Sequence, residues 1–188
     1  CGYPKITMHE LAERMKETPF QVDVWTGAST GSQIDSELIA VNGVRVRMPY
    51  QTNGNLRKAI NAGALDYFDL HLSHVAQQIR AGFFTNAKGE RVTGPDVAVV
   101  EVCKIGPNGE LYTTTAIGNS PVFVDTAKKV IVEVNTTQPL ALVGMADIYM
   151  RKNPPHCEPI PITSAGDRVG TPYIPCDPAK IVAIVPCD

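Results

Sequence analysis

Little in this sequence points to nucleic acid, membrane or metal. Seventeen Lys and Arg face nineteen Asp and Glu, for a formal net charge of −2, and no basic tract stands out. Neither nucleic acid nor an anionic membrane is therefore an expected partner. No apolar run approaches the ~20 residues that span a bilayer, and no signal-peptide pattern is visible. The five cysteines (Cys1, Cys103, Cys157, Cys176 and Cys187) are scattered without metal-type spacing, and H-E-x-x-H, C-x-x-C and paired-carboxylate motifs are missing. No metal is expected. An odd cysteine count in a chain too large to need disulfide staples predicts reduced thiols and a cytoplasmic location. Neither G-x-x-x-x-G-K-[ST] nor G-x-G-x-x-G occurs, so a nucleotide P-loop or dinucleotide fingerprint is not supported. Aromatics make up only 6%, and Trp25 reads as core rather than as a ligand platform.

What is present is an ordinary globular composition. At 188 residues, 44% apolar and 19% charged, the chain is long enough for one large domain with a single core. Strands alternate with short helices, which predicts an α/β fold with a mostly parallel sheet flanked by helices. Thr7-Met8-His9-Glu10 fits a capping box ahead of a helix that Thr18-Pro19 ends. Gln21 to Thr26 reads as a strand, Gln33 to Ala40 as a helix capped by Ser32, and Val44 to Met48 as a strand. Asn55 to Ala62 is a helix closed by Gly63. Leu65 to Leu70 is a strand, followed by a helix from His74 to Ala81 capped by Ser73 and ended by Gly82.

Phe83 to Pro95 is polar enough for an exposed loop or hairpin. Asp96 to Val102 and Val130 to Val134 are near-continuous apolar runs, as buried parallel strands require. Asn108-Gly109 signals a hairpin turn. Prolines crowd 154 to 178 as P-P, E-P-I-P and I-P-C-D-P, which predicts an extended surface arm before a last strand from Ile181 to Val185. The expected organisation is an α/β domain over residues 1–153, with 154–188 an arm and final strand packing on it. The chain opens without Met and closes just after a strand-like run, so a fragment of a longer polypeptide is expected.

The stretch from Glu110 to Val132 organises the site argument. Leu111 to Thr115 is strand-like, Gly118-Asn119 breaks it, and Ser120-Pro121 opens a helix as N-cap and first helical residue. A glycine turn between strand and helix presents free N–H groups at the positive end of a helix dipole, suited to a carboxylate, phosphate or oxyanion. The plain alternative is a well-capped βα turn. A second glycine turn runs from Gly27 to Ser32, and a third loop, without glycine, lies at His71-Leu72-Ser73-His74. Ligands of parallel α/β sheets bind at strand carboxyl ends, where these three turns are expected to gather. Ser73 with its flanking histidines lacks an obvious third member for a catalytic triad. Glu101 and Glu133, inside buried strands, read as satisfied core carboxylates more readily than as catalytic ones.

Several segments together resemble the acetyl-CoA hydrolase/transferase family, class I CoA-transferases that include succinyl-CoA:acetate CoA-transferases. They are T-G-A-S (26–29), M-P-Y-Q (48–51), L-R-K-A-I-N (56–61), H-L-S-H (71–74) and G-N-S-P (118–121). K-V-I-V-E-V-N (129–135), Q-P-L (138–140), D-R-V-G-T-P-Y-I-P (167–175) and K-I-V-A-I-V (180–185) complete the set, in order along nearly the whole chain. The resemblance implies the amino-terminal half of a two-half α/β enzyme, with the active site between the halves. Its nucleophilic glutamate would lie in the absent carboxyl-terminal half, so this piece alone is expected to be inactive and holds no catalytic nucleophile.

By matching position, Gly118, Asn119 and Ser120 are expected to contact carboxylate or acyl group, with Ser73 and His74 beside them. Gly27, Ala28 and Ser29 form a further group, and Gly2 and Tyr3 are expected to close the pocket. Coenzyme A enters as part of the substrate, an acyl-CoA, with a short carboxylic acid as the other substrate. The expected protein partners are the other half of the polypeptide and further copies in a homo-oligomer. An acetyl-CoA hydrolase, a non-catalytic binding module of the same fold, and a sugar-phosphate isomerase are the competing expectations. The last would need an in-chain carboxylate base and a phosphate-loop lysine at these turns, and neither is seen.

Overall fold

A computed structural model describes residues 4–31 and 33–188. Gly2, Tyr3 and Ser32 lie outside the described residues. The parallel α/β expectation holds, but the strands divide between two main sheets. The smaller is wholly parallel, with β1 (Val22–Trp25), β2 (Val44–Met48) and β3 (Asp66–Tyr67) side by side. Helices α1 (Ile6–Glu17), α2 (Gln33–Ala40), α3 (Gly54–Asn61) and α4 (Leu72–Arg80) accompany these strands. β4 (Phe84–Thr85) and β5 (Arg91–Val92) form the antiparallel hairpin of the polar 83–95 segment.

The larger sheet contains β6 (Val97–Ile105), β7 (Glu110–Thr113), β8 (Lys129–Asn135), β9 (Ile174–Pro175) and β10 (Ile181–Cys187), in the order β10-β8-β6-β7-β9. β10, β8 and β6 are parallel, β7 pairs antiparallel with β6, and β9 pairs antiparallel with β7 and so runs the same way as β6. The reversal follows from Asn108-Gly109, a tight turn with Gly109 at φ +87 that folds β7 straight back on β6. Helix α5 (Ser120–Thr126) then returns the chain to β8.

Burial explains why the sheets stay together. α5 and the larger sheet share a core of Val100, Val102, Leu111, Val124, Val130, Val132 and Ile174. Met15 and Ala12 of α1 pack with Leu38 of α2 and Val44 of β2. A third cluster bridges them: Met48 from β2, Val75 and Ile79 from α4, Phe84, and Val122 from α5. The two sheets therefore meet where β2 ends and α5 begins.

Several local expectations need correction. The capping box at Thr7 does not form; Lys5 is the N-cap, without a side-chain cap bond. The carboxylate of Glu133 accepts instead, from the N–H groups of Lys5 (2.8 Å), Ile6 (3.4 Å) and Thr7 (2.7 Å). A buried acid from the larger sheet thus satisfies the orphan donors that a local hydroxyl was expected to take. Ser73 is not a cap either: α4 starts at Leu72 after His71, with no side-chain cap bond. Ser120 is the first residue of α5, and Asn119 precedes it. The strand expected over Leu65–Leu70 shrinks to Asp66–Tyr67. Residues 154–173 contain neither helix nor strand, and Ile148 bridges to Thr171 where the arm rejoins the body.

Candidate functional site

Two of the three expected site turns, the two that carry glycine, meet. A Cβ built on Gly27 would lie 3.5 Å from the Asn119 nitrogen and 3.9 Å from the Gly118 Cα. Gly27 leaves β1 where its strand ends, and the packing of Met48 against Val122 brings α5 to the same place. Gly118 has φ +50, a backbone geometry that glycine adopts without steric cost. The N–H of Ser120 is used on the Ile117 carbonyl, and Pro121 has none, so Gly118 and Asn119 supply the donors this turn can offer. The carbonyl of Asn119 accepts from Val122 and Phe123, each at 3.1 Å. α5 has only seven residues, so the turn amides, rather than a long helix dipole, are what an anion would meet.

Beneath Gly27–Ser29 lies an ionic cluster that the sequence reading missed. Arg47 is fully buried on β2 and grips Asp35 of α2 with two donors, Nε to Oδ1 at 2.9 Å and Nη2 to Oδ2 at 3.2 Å. Its Nη1 donates to Thr26 Oγ1 (2.8 Å) and to the Met48 carbonyl (2.7 Å). Thr26 Oγ1 donates onward to the Gly27 carbonyl at 2.8 Å, and Ser29 Oγ donates to Asp35 Oδ2 at 3.2 Å. The backbone of Ser29 pairs with the M-P-Y-Q turn, its N–H to the Tyr50 carbonyl and its carbonyl from Thr52 N–H. The available signal was V-R-V-R-M. Arg45 and Arg47 occupy alternate positions of a buried strand, and each needs an acid, Asp23 and Asp35 respectively.

His71, Ser73 and His74 are exposed at the start of α4. The two imidazoles face each other edge-on, centroids 5.5 Å apart. Among the described residues, Ser73 hydrogen-bonds to neither histidine, and no hydrogen bond joins this turn to the other two. The structure therefore unites Gly27 with Gly118 and Asn119, while Ser73 and His74 stand apart from that contact. Ala28 is exposed and Ser29 half-buried.

The two strand glutamates have structural partners. Glu133 caps α1, and Glu101 Oε1 accepts from Asn135 Nδ2 at 2.5 Å while its other oxygen is buried without a partner. Burial raises the thiol pKa of Cys103, Cys176 and Cys187. An open concavity of about 550 Å³ lies in the arm, lined by Lys152, Asn153, His156, Cys157 and Glu158; it includes none of the expected site residues. Among the described residues no cluster of His, Cys, Asp and Glu could hold a metal ion, and no helix is long and apolar enough to cross a membrane.

Two glycine turns from separate sheets face each other over a largely parallel α/β frame. Its solved likenesses include 4-hydroxybutyrate CoA-transferase of Porphyromonas gingivalis, TM-score 0.50 and 15% identity over 96% of this chain and 38% of that one. The decarboxylase AibA/AibB is similar at TM-score 0.51 and 15% identity, over 96% and 71%. Residues 1–186 match the acetyl-CoA hydrolase/transferase N-terminal domain, and the chain belongs to that family. It is 46% identical to the succinyl-CoA:acetate CoA-transferase of Clostridium kluyveri, over 98% of this chain and 33% of that protein. It is 41% identical to the propanoyl-CoA:succinate CoA transferase of Escherichia coli, over 98% and 37%. The acetyl-CoA hydrolase of Yarrowia lipolytica is 38% identical over 98% and 36%. The chain thus spans about a third of the length of the curated relatives it matches.

Proposed function

We propose that this chain is the amino-terminal part of an acyl-CoA:carboxylate CoA-transferase, using succinyl-CoA or acetyl-CoA with acetate or a similar short acid. The observation that carries the reading is the contact of the Gly27 turn with Gly118-Asn119, in a chain 46% identical to a succinyl-CoA:acetate CoA-transferase. In this reading a glutamate outside these 188 residues attacks the thioester carbonyl. The C–S bond breaks, CoA thiolate leaves, and an acyl-glutamyl anhydride remains. The thiolate then attacks the glutamyl carbonyl, releasing the carboxylate and leaving a glutamyl-CoA thioester, which the second acid reverses.

Gly118, Asn119 and Ser120 contact the carboxylate or acyl group, Gly27, Ala28 and Ser29 form the facing wall, and Ser73 and His74 lie further out. Backbone N–H groups held before charge develops stabilise an oxyanion without reorganising. Water must be kept out, because a hydrolysed anhydride turns transfer into hydrolysis. The 38% identity to an acetyl-CoA hydrolase favours hydrolysis as the second reading.

Residues 1–153 form the α/β domain in this reading, with 154–188 a Pro-rich arm and final strand packing on it, and the pairing of β10 with β8 supports that packing. The protein acts in the cytoplasm as a homo-oligomer, with the rest of its polypeptide completing the active site. The deciding experiment compares succinyl-CoA-plus-acetate transfer by the family-length protein and by this 188-residue piece. Transfer by the long form alone supports the reading. Transfer by the short piece would put the nucleophile within it and overturn the mechanism; acetyl-CoA cleavage without transfer would establish the hydrolase.

A further inference from the structure

We infer that the buried Arg47–Asp35 pair is a positioning device for the Gly27–Ser29 wall of the site, an inference that rests on the function proposed above. Neither residue reaches the pocket: Arg47 is 0% exposed and Asp35 2%. Their effect travels along two hydrogen-bonded chains that diverge from one ion pair. The first runs from Arg47 Nη1 to Thr26 Oγ1 (2.8 Å) and on to the Gly27 carbonyl (2.8 Å). It sets the peptide plane that follows Gly27, the residue facing Asn119. The second runs from Asp35 Oδ2 to Ser29 Oγ at 3.2 Å and occupies the Ser29 proton. Ser29 therefore turns lone pairs, not a donor, toward any ligand, and the donors that meet an anion come from the Gly118 turn opposite.

The same guanidinium holds the Met48 carbonyl at 2.7 Å, where the M-P-Y-Q turn leaves β2. One buried pair thus ties together β1, β2, the first turn of α2 and both loops at their ends. Stability alone is a weak account of such a pair. Replacing a buried ion pair by apolar side chains of similar volume is often neutral or stabilising, whereas removing one partner is strongly destabilising. What an apolar replacement cannot do is orient the Gly27 carbonyl and the Ser29 hydroxyl.

The test uses the family-length protein with three changes: Thr26→Val, Arg47→Lys, and the paired replacement Arg47→Met with Asp35→Leu. Thr26→Val removes only one hydroxyl and keeps the ion pair, so it remains informative if the others fail to fold. Two readouts are taken: KM and kcat for the carboxylate acceptor, and amide hydrogen exchange at 27–30 and 50–52 against that of β6 and β8. The expected result is faster exchange confined to the two loops and a carboxylate KM raised about 10-fold or more, as misplacement of a binding wall produces. Arg47→Lys should fall between wild type and the paired replacement.

A fall in kcat with unchanged KM and uniformly faster exchange would mean a merely structural pair, and would overturn the inference. So would unchanged loops and kinetics in folded Thr26→Val and paired variants. If the wild-type protein transfers no CoA, the proposed function fails; loop exchange still decides whether the pair positions this wall.

Discussion

Glu133 accepts a hydrogen bond from the backbone N–H of Thr7 at 2.7 Å across 126 positions of sequence. The same carboxylate takes the N–H groups of Lys5 and Ile6, so the larger sheet caps the helix that covers the smaller one. Replacing Glu133 by Ala strands those donors and is expected to cost about 2–4 kcal/mol in urea unfolding. Glu133→Gln, which keeps an acceptor but loses the charge, should cost about half as much. An unchanged midpoint in Glu133→Ala would show that water or another group caps α1 equally well.

The same geometry makes the opposite forecast for Thr7. Its Oγ1 is buried without a partner. Thr7→Val should therefore be neutral or mildly stabilising, since a hydroxyl with no hydrogen bond is lost. A working capping box would instead cost about 1 kcal/mol on this change. The sign of the shift in unfolding midpoint separates the two.

Two glycines with similar φ should behave differently. At Gly118, φ +50, an added Cβ meets nothing within 4 Å, so Gly118→Ala carries only conformational strain of about 1–2 kcal/mol. At Gly170, φ +67, the Cβ would fall 1.8 Å from the Ile148 carbonyl oxygen. Gly170→Ala must break the Ile148–Thr171 bridge and is expected to cost about 3 kcal/mol or more. Equal losses in parallel denaturation curves would contradict this contrast.

Asp167 ties down the arm. Backbone N–H groups of Thr163 and Ser164, then the Thr163 hydroxyl, hold its carboxyl down to about 2. A lowered carboxyl favours the ordered turn above its unfolded value of about 3.9 and gives up that preference as pH falls through about 2. Amide shifts of Thr163 and Ser164 followed by NMR from pH 6 to pH 1.5 should therefore stay constant above pH ~5 and move with an apparent pKa near 2. A midpoint near the unperturbed ~3.9 would mean the turn does not persist in solution.

The thiols should divide sharply. Cys157 is exposed, whereas Cys103, Cys176 and Cys187 are buried with raised pKa. A thiol-disulfide reagent at pH 8 should modify Cys157 in the folded protein and reach Cys103, Cys176 and Cys187 at comparable rates only in denaturant. Mass-spectrometric mapping that finds Cys103 modified early would refute the packing of β6 against β7.

Much of the element layout was legible in the sequence because it depends on local periodicity and punctuation. Gln33–Ala40 and Val44–Met48 appear with the expected bounds, and Asn108-Gly109 turns β6 into β7 as its dipeptide requires. Helix starts were read less well. Thr7, Ser73 and Ser120 all looked like caps, and none of them caps a helix through its side chain. A local hydroxyl is only one of several ways to satisfy a first-turn N–H, and a distant carboxylate is a stronger acceptor.

By itself the sequence determined the α/β character, the positions of the glycine turns and the likeness to a family of CoA enzymes, since each is carried by residues close together in the chain. Only the tertiary structure decided that the strands form two main sheets, that Gly27 meets Gly118-Asn119 while Ser73 and His74 stay apart, and that Arg47 finds Asp35. Those outcomes depend on long-range burial. Charges such as Arg47, Asp35 and Glu133 enter the interior only where a partner far along the chain arrives to meet them, and no local pattern records which partner that is.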